Sequence, residues 1–182
     1  MKTQKNENKA DLVLINAVEF TTVAPDSRMT FRPYAQPIMQ ESLKLLRPGG
    51  TAVVIAKTEY GKDFIQHQEK ELPLCYRAIW LNGRQFEDVL VFSKHHNPEA
   101  FSPSVPRVYS YESDGLNDKP VAFLEDIICS FSKENDIVVN LLATNINCSL
   151  ISTAIENTKR QWVVQTANND SLYIIRKYKA GE

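Results

Sequence analysis

KPVAFLEDIICSFSKENDIVVNLLATNINCSLISTAIENTKRQWVVQ, residues 119–165, is the stretch whose reading decides the fold. Pro120 stands at a first-turn position, and Phe123, Leu124, Ile127, Ile128 and Phe131 follow at the spacing of one helix face, so Pro120–Phe131 reads as an amphipathic helix. Ile137–Leu142 is a short apolar run between polar neighbours, the pattern of a strand buried on both faces. The loop Thr144-Asn145-Ile146-Asn147 gives way to a helix near Ser149–Asn157, and Gln161–Gln165 makes a second strand. The order helix, strand, loop, helix, strand contains a βαβ unit, which opens a small-molecule pocket at the loop after its first strand.

Outward from this unit the alternation continues. Ser171–Tyr178 has Leu172, Ile175 and Tyr178 at helical spacing, although Leu172-Tyr173-Ile174-Ile175 would also make a strand; its first half is read as helix. Upstream, Leu12–Ile15 forms a buried strand ending at Asn16. Tyr34–Leu46 is an amphipathic helix with Ile38, Met39, Leu43 and Leu46 inward, stopped by Arg47-Pro48-Gly49-Gly50 before the strand Thr51–Ala56. Gly61–Leu72 reads as a more polar helix on the outside. Tyr76–Leu81 and Phe86–Ser93 flank Asn82-Gly83, a hairpin signal because both residues tolerate positive φ. Asn97–Asn117, with Pro98, Pro103 and Pro106, reads as a long loop. Together these elements predict an α/β fold: a mostly parallel, twisted sheet with helices on both faces and an antiparallel hairpin strand.

Composition sets bounds. The chain of 182 residues suits one domain, 11–182, after a Lys/Asn-rich tail over residues 1–10 that is too polar to order itself. Lys plus Arg is 21 against Asp plus Glu 22, so there is no global attraction to nucleic acid and any basic face must be local. Arg28 and Arg32 form one such pair, facing a nucleic-acid backbone, a partner's acidic surface or simply solvent. Cys75, Cys129 and Cys148 are widely spaced and read as buried thiols in a reducing compartment. His95-His96 point to opposite sides of an extended segment and predict no metal site. No apolar run approaches a membrane span, so the expected location is intracellular, the nucleus in a eukaryote and otherwise the cytoplasm.

Lys119-Pro120, the helix, Asp136-Ile137-Val138-Val139-Asn140, the loop and the helix ending in Lys159-Arg160 resemble the cofactor-binding half of the amino-methyltransferases that modify adenine N6 or cytosine N4. The resemblance implies a Rossmann-like methyltransferase fold. It also implies an acid at the strand end for the methionine ammonium of S-adenosylmethionine, glycines in the loop, and a second acid for the ribose. The matching positions hold Asn140 for the first acid, Thr144 and Ile146 for the glycines, and Gln165 for the ribose acid. The N-terminal strand would deliver the catalytic loop, Asp or Asn followed by two prolines and an aromatic that stacks on a flipped base. Asn16, Ala17, Val18 and Glu19 stand there: Asn16 can accept a hydrogen bond, both prolines are missing, and Phe20 supplies a ring only if the loop slips by one residue. Phe86–Lys94 resembles the family's Glu-bearing strand before its variable loop, where Arg107, Tyr109 and Tyr111 would contact substrate or pin the loop to its own domain.

Departures at both loops imply a subunit without catalytic activity of its own. It resembles the inactive partner in heterodimeric adenine methyltransferases of the MT-A70 group, such as the ciliate DNA-adenine methyltransferase complex. The expectation is a chain that binds no cofactor itself and pairs with a catalytic subunit holding S-adenosylmethionine. Arg28, Arg32, Arg107, Lys159 and Arg160 would be lent to a shared groove for DNA rather than RNA. Two alternatives stand beside it: a divergent active DNA adenine methyltransferase using Asn16 and Phe20, and a free-standing homodimeric binding module.

Overall fold

The structure is a computed structural model. It describes residues 9–17, 32–82, 85–94, 105–112, 119–141, 148–168 and 171–176, and their side chains apart from those of 32–34, 85, 148, 162–168 and 171–176. The elements in chain order are β1 (Ala10–Asn16), α1 (Arg32–Leu45), β2 (Leu46–Lys57), α2 (Thr58–Gln66), β3 (Leu74–Asn82), β4 (Gln85–Ser93), β5 (Val108–Ser110), α3 (Val121–Phe131), β6 (Ile137–Leu141), α4 (Cys148–Asn157), β7 (Gln161–Asn168) and β8 (Ser171–Arg176). The strands form one sheet in the order β5-β3-β4-β2-β1-β6-β7-β8. Six strands run the same way; β4 is reversed between β2 and β3, and β8 is reversed on β7. The expected α/β architecture is therefore observed.

Strand alternation divides the core into two layers. Val13, Ile15, Val54, Leu90 and Leu141 pack under Ile38 and Met39 of α1 and Phe64 of α2. Leu12, Leu14, Val53, Val89 and Val138 pack under Phe123, Ile127 and Ile128 of α3 and Ile151 and Ile155 of α4. Each fully buried Leu, Ile or Phe contributes about 1.5–3 kcal/mol. With both faces covered, the central strands read as continuous apolar runs rather than alternating ones.

Several boundaries differ from expectation. Ala10, placed in the polar tail by composition, opens β1 and is buried. Arg47-Pro48-Gly49-Gly50 ends α1 but does not precede the strand: Ala10 pairs with Leu46 and Leu12 with Thr51, so these residues bulge out within β2. Gly49 has φ +78, a conformation that side-chain-bearing residues resist. Leu46, expected on the helix, is buried at the start of β2. The polar helix starts and stops earlier than Gly61–Leu72, and it buries Gly61, Asp63 and Phe64. Asn82 pairs with Gln85, so the hairpin connection is Gly83-Arg84. The long loop contains β5, paired in parallel with β3. Ser171–Arg176 is a strand and not a helix, because its backbone pairs antiparallel with β7. Cys129, expected buried, is exposed on α3, while Cys75 is half-buried and donates to the Pro73 carbonyl at 3.3 Å.

Candidate functional site

From β1 the chain crosses through α1 to β2 on one side; from β6 it crosses through α4 to β7 on the other. β1 and β6 are adjacent and parallel and their next parallel strands, β2 and β7, lie on opposite sides, so the carboxyl ends of β1 and β6 form the point at which the strand order reverses. Leu14 pairs with Asn140 and Ile15 with Leu141. Leu12, Leu14 and Val138 belong to the α3/α4 layer, so the period of two puts Asn16 and Asn140 on that same side, one diagonal step apart. Both are buried, at 4% and 1% exposure. The Asn140 Nδ2 and Oδ1 have no hydrogen-bond partner among the described residues. A buried polar atom left unmatched costs about 1–3 kcal/mol, which makes the amide a place where a ligand's donor and acceptor would be accommodated. The Ala17 N–H donates to the Ile55 carbonyl at 2.9 Å and ties the end of β1 to β2.

A second constellation lies along the same edge of the sheet. Glu87 sits opposite Lys57, the last residue of β2, and beside Trp80 on β3. The Lys119 ammonium is 2.9 Å from Glu87 Oε2 and 5.0 Å above the Trp80 ring. Lys119 is only 3% exposed in its side chain. The contact is an ion pair outside directional hydrogen-bond geometry, and neither charged atom has a hydrogen-bond partner among the described residues. Trp80 stacks on Phe123 at 5.0 Å and donates its Nε1 to the Tyr111 carbonyl at 3.1 Å. Tyr109 meets Phe123 edge-on at 5.5 Å. Burial pushes the Tyr109 phenol up to about 12. Tyr111 is also raised to about 12, because its hydroxyl donates to Asp126. Of the two readings for these tyrosines, they pin their segment to its own domain.

The remaining candidates separate. Val18, Glu19, Phe20, Arg28, His95, His96, Thr144 and Ile146 lie outside the described residues. Arg32 opens α1, and Gln165 pairs with Leu141 at the same edge as Asn140; their side chains are not among those described. Lys159 and Arg160 do not reach that edge. They follow α4 and precede β7, at the amino ends of the parallel strands, because a crossover helix runs back against the sheet. Arg160 donates to Ser132 Oγ at 3.2 Å and to the Ser132 carbonyl at 2.8 Å, joining the ends of α3 and α4. Lys159, at φ 57, is 3.7 Å from Glu134 in an exposed pair. Arg107 is on the outer side of β3, its guanidinium 5.8 Å from the Tyr76 ring centroid. Sequence reasoning missed the Lys119–Glu87 pair, although the Lys-Pro step and the Glu-bearing strand were each visible. No group of three His, Cys, Asp or Glu side chains among the described residues could hold a metal, and no described helix is long and apolar enough to cross a membrane.

No family model matches the sequence. No curated protein matches it either. Solved structures do match. A candidate DNA modification methylase from Thermus thermophilus has TM-score 0.68 at 14% identity, covering 90% of this chain and 83% of its own. The fold is a methyltransferase fold. M1.HpyAVI in complex with SAM superposes with TM-score 0.62 at 15% identity, over 89% of this chain and 84% of that one. The cytosine-N4-specific PvuII DNA methyltransferase gives TM-score 0.60 at 14% identity, over 86% and 74%. These neighbours correct the expectation that the chain is no enzyme on its own. The methyltransferase fold is shared with DNA methyltransferases at 14–15% identity, a distance at which most side chains differ, so unfamiliar letters in two loops are no measure of lost activity.

Proposed function

We propose that this chain is an S-adenosylmethionine-dependent methyltransferase acting on an exocyclic amino group of DNA, with its site at the carboxyl ends of β1 and β6. The observation that carries the reading is the pair of buried amides, Asn16 and Asn140, side by side at the point where the crossovers diverge. The Asn140 amide, without a hydrogen-bond partner among the described residues, fits a cofactor with donors and acceptors: its Oδ1 would accept from the methionine ammonium and its Nδ2 would donate to a carboxylate. S-adenosylmethionine, when bound, supplies the electrophilic methyl group. Asn16 Oδ1 would accept an N–H of the target amine and aim the nitrogen lone pair, which is positioning rather than proton abstraction because an amide is not a base near neutral pH. The Ala17–Ile55 hydrogen bond holds the strand end still for that task.

The test is calorimetric titration of the chain with S-adenosylmethionine, followed by transfer of labelled methyl to duplex DNA. Micromolar binding that is weakened about tenfold or more in Asn140→Leu is expected, because the variant removes both amide atoms. Absence of binding and transfer, both alone and after co-expression with a second methyltransferase subunit, would sink the reading. Transfer seen only after co-expression would assign the activity to a pair.

A further inference from the structure

At the carboxyl ends of three neighbouring parallel strands stand amide residues. Asn16 ends β1, Asn140 is the next-to-last residue of β6, and Gln165 of β7 pairs with Leu141 one residue further on. Asn140 lies between Leu14 of β1 and Val164 of β7, so neither neighbouring strand sets a charge beside it. The segment 142–147, which joins β6 to α4, contains no Asp, Glu, Lys, Arg or His. On the same face, Glu87 lies on β4, beyond β1 and β2, and is paired with Lys119 at 2.9 Å; Lys57 opposite it is exposed.

We propose, resting on the methyl-transfer reading, that Asn140 makes the cofactor site indifferent to the charge on the cofactor's sulfur, so that the product of methyl transfer competes with the cofactor on equal terms. S-adenosylmethionine is a sulfonium cation. When its methyl passes to an amine, the C–S bond breaks with its electron pair left on sulfur, an N–C bond forms, and the amine sheds a proton to water. What remains, S-adenosylhomocysteine, keeps the same ammonium and carboxylate and lacks one methyl and one charge. Two unit charges about 6 Å apart, at an effective dielectric constant of about 20, change an affinity by up to about a hundredfold. A carboxylate at the end of β6 would exert such a pull on a sulfonium; the Asn140 amide carries no net charge and does not titrate. The amide still serves the parts that the two molecules share, accepting from the ammonium through Oδ1 and donating to the carboxylate through Nδ2. Burial sharpens the difference, since at 1% exposure little water screens whatever charge stands there. The chain would thereby respond to the ratio of cofactor to product rather than to the cofactor alone.

The test is calorimetric titration of the full chain with S-adenosylmethionine and, separately, with S-adenosylhomocysteine, repeated on Asn140→Asp, which adds a charge at nearly constant shape. The wild-type chain should bind the thioether within about fivefold of the sulfonium, or more tightly. Asn140→Asp should move the ratio of the two dissociation constants about tenfold or more towards the sulfonium, the ligand's ammonium keeping the new carboxylate ionised in the complex. A larger wild-type preference for the sulfonium would overturn the proposal and assign the missing charge to an acid elsewhere, such as Glu19. So would a ratio that Asn140→Asp leaves unmoved while both ligands still bind. Should that variant fail to fold, the wild-type ratio decides alone. If the chain binds neither ligand, by itself or with a second methyltransferase subunit, the methyl-transfer reading falls and the charge-indifferent site falls with it.

Discussion

Replacing Lys119 with methionine would leave the Glu87 carboxylate in an enclosed site beside Trp80 without its cation. Removing one partner of a buried ion pair costs about 3–5 kcal/mol, whereas replacing both with apolar groups of similar size is often close to neutral. Urea unfolding should therefore show Lys119→Met strongly destabilised and Lys119→Met/Glu87→Leu restored for the most part. A double variant as unstable as the single would show that the lost stability comes from packing of the lysine stem rather than from the stranded charge. Asn140 is the opposite kind of residue. Its amide has no described hydrogen-bond partner, so removing it should cost ligand affinity more than stability. Both residues were legible one at a time, Lys119 by its place before Pro120 and Asn140 by its place at a strand end. That Lys119 meets Glu87 was not legible, because nothing in the run of letters reports which distant side chains share a buried volume.

Helix α2 is held by contact rather than by its own pattern. Its polar composition suggested an outer helix, yet Gly61, Asp63 and Phe64 are buried against the sheet. A Cβ on Gly61 would come within 2.7 Å of Asp88 Oδ2, and that carboxylate is itself fixed by Arg77. Ala is the better helix former by about 1 kcal/mol, but overpacking costs about 1–3 kcal/mol. Gly61→Ala is expected to lower the urea midpoint, and pairing it with Asp88→Ala to recover part of the loss; a raised midpoint for the single variant would show that Asp88 moves aside freely. The same dependence on neighbours explains β8. Its apolar spacing fits helix and strand alike, and pairing with β7 decides between them. The bulge in β2 is a third case: Pro48-Gly49-Gly50 signalled a break, but resumed pairing with β1 at Thr51 makes it an irregularity within a strand.

For the molecule as a whole, alkaline pH is the informative stress. Tyr109 and Tyr111 are each raised to about 12 from 10.0, the first chiefly by burial and the second chiefly by donation to Asp126. With folded values above unfolded ones, the phenols contribute stability that is complete below pH 10.0 and lost as pH rises towards about 12. Lys94 acts in the other sense: burial lowers it from 10.5, so charging it in the fold is unfavourable and stability rises as pH climbs from its folded value to its ordinary one. Above about pH 10.5 the fall is unopposed by Lys94. Unfolding free energy should decline there, and Tyr109→Phe, which keeps the ring against Phe123, should flatten the decline; an unchanged slope would remove Tyr109 as a cause.

By itself the sequence determined the order of helices and strands, the buried central strands and the α/β class, because these follow from apolar spacing and turn residues within a few positions of one another. Only the tertiary structure decided that β1 and β6 lie side by side, bringing Asn16 and Asn140 to one edge. It also decided that Lys159 and Arg160 sit at the opposite edge and that Lys119 is paired with Glu87. Those facts depend on strand order and on which layers cover which face, and both are settled by packing between segments far apart in the chain.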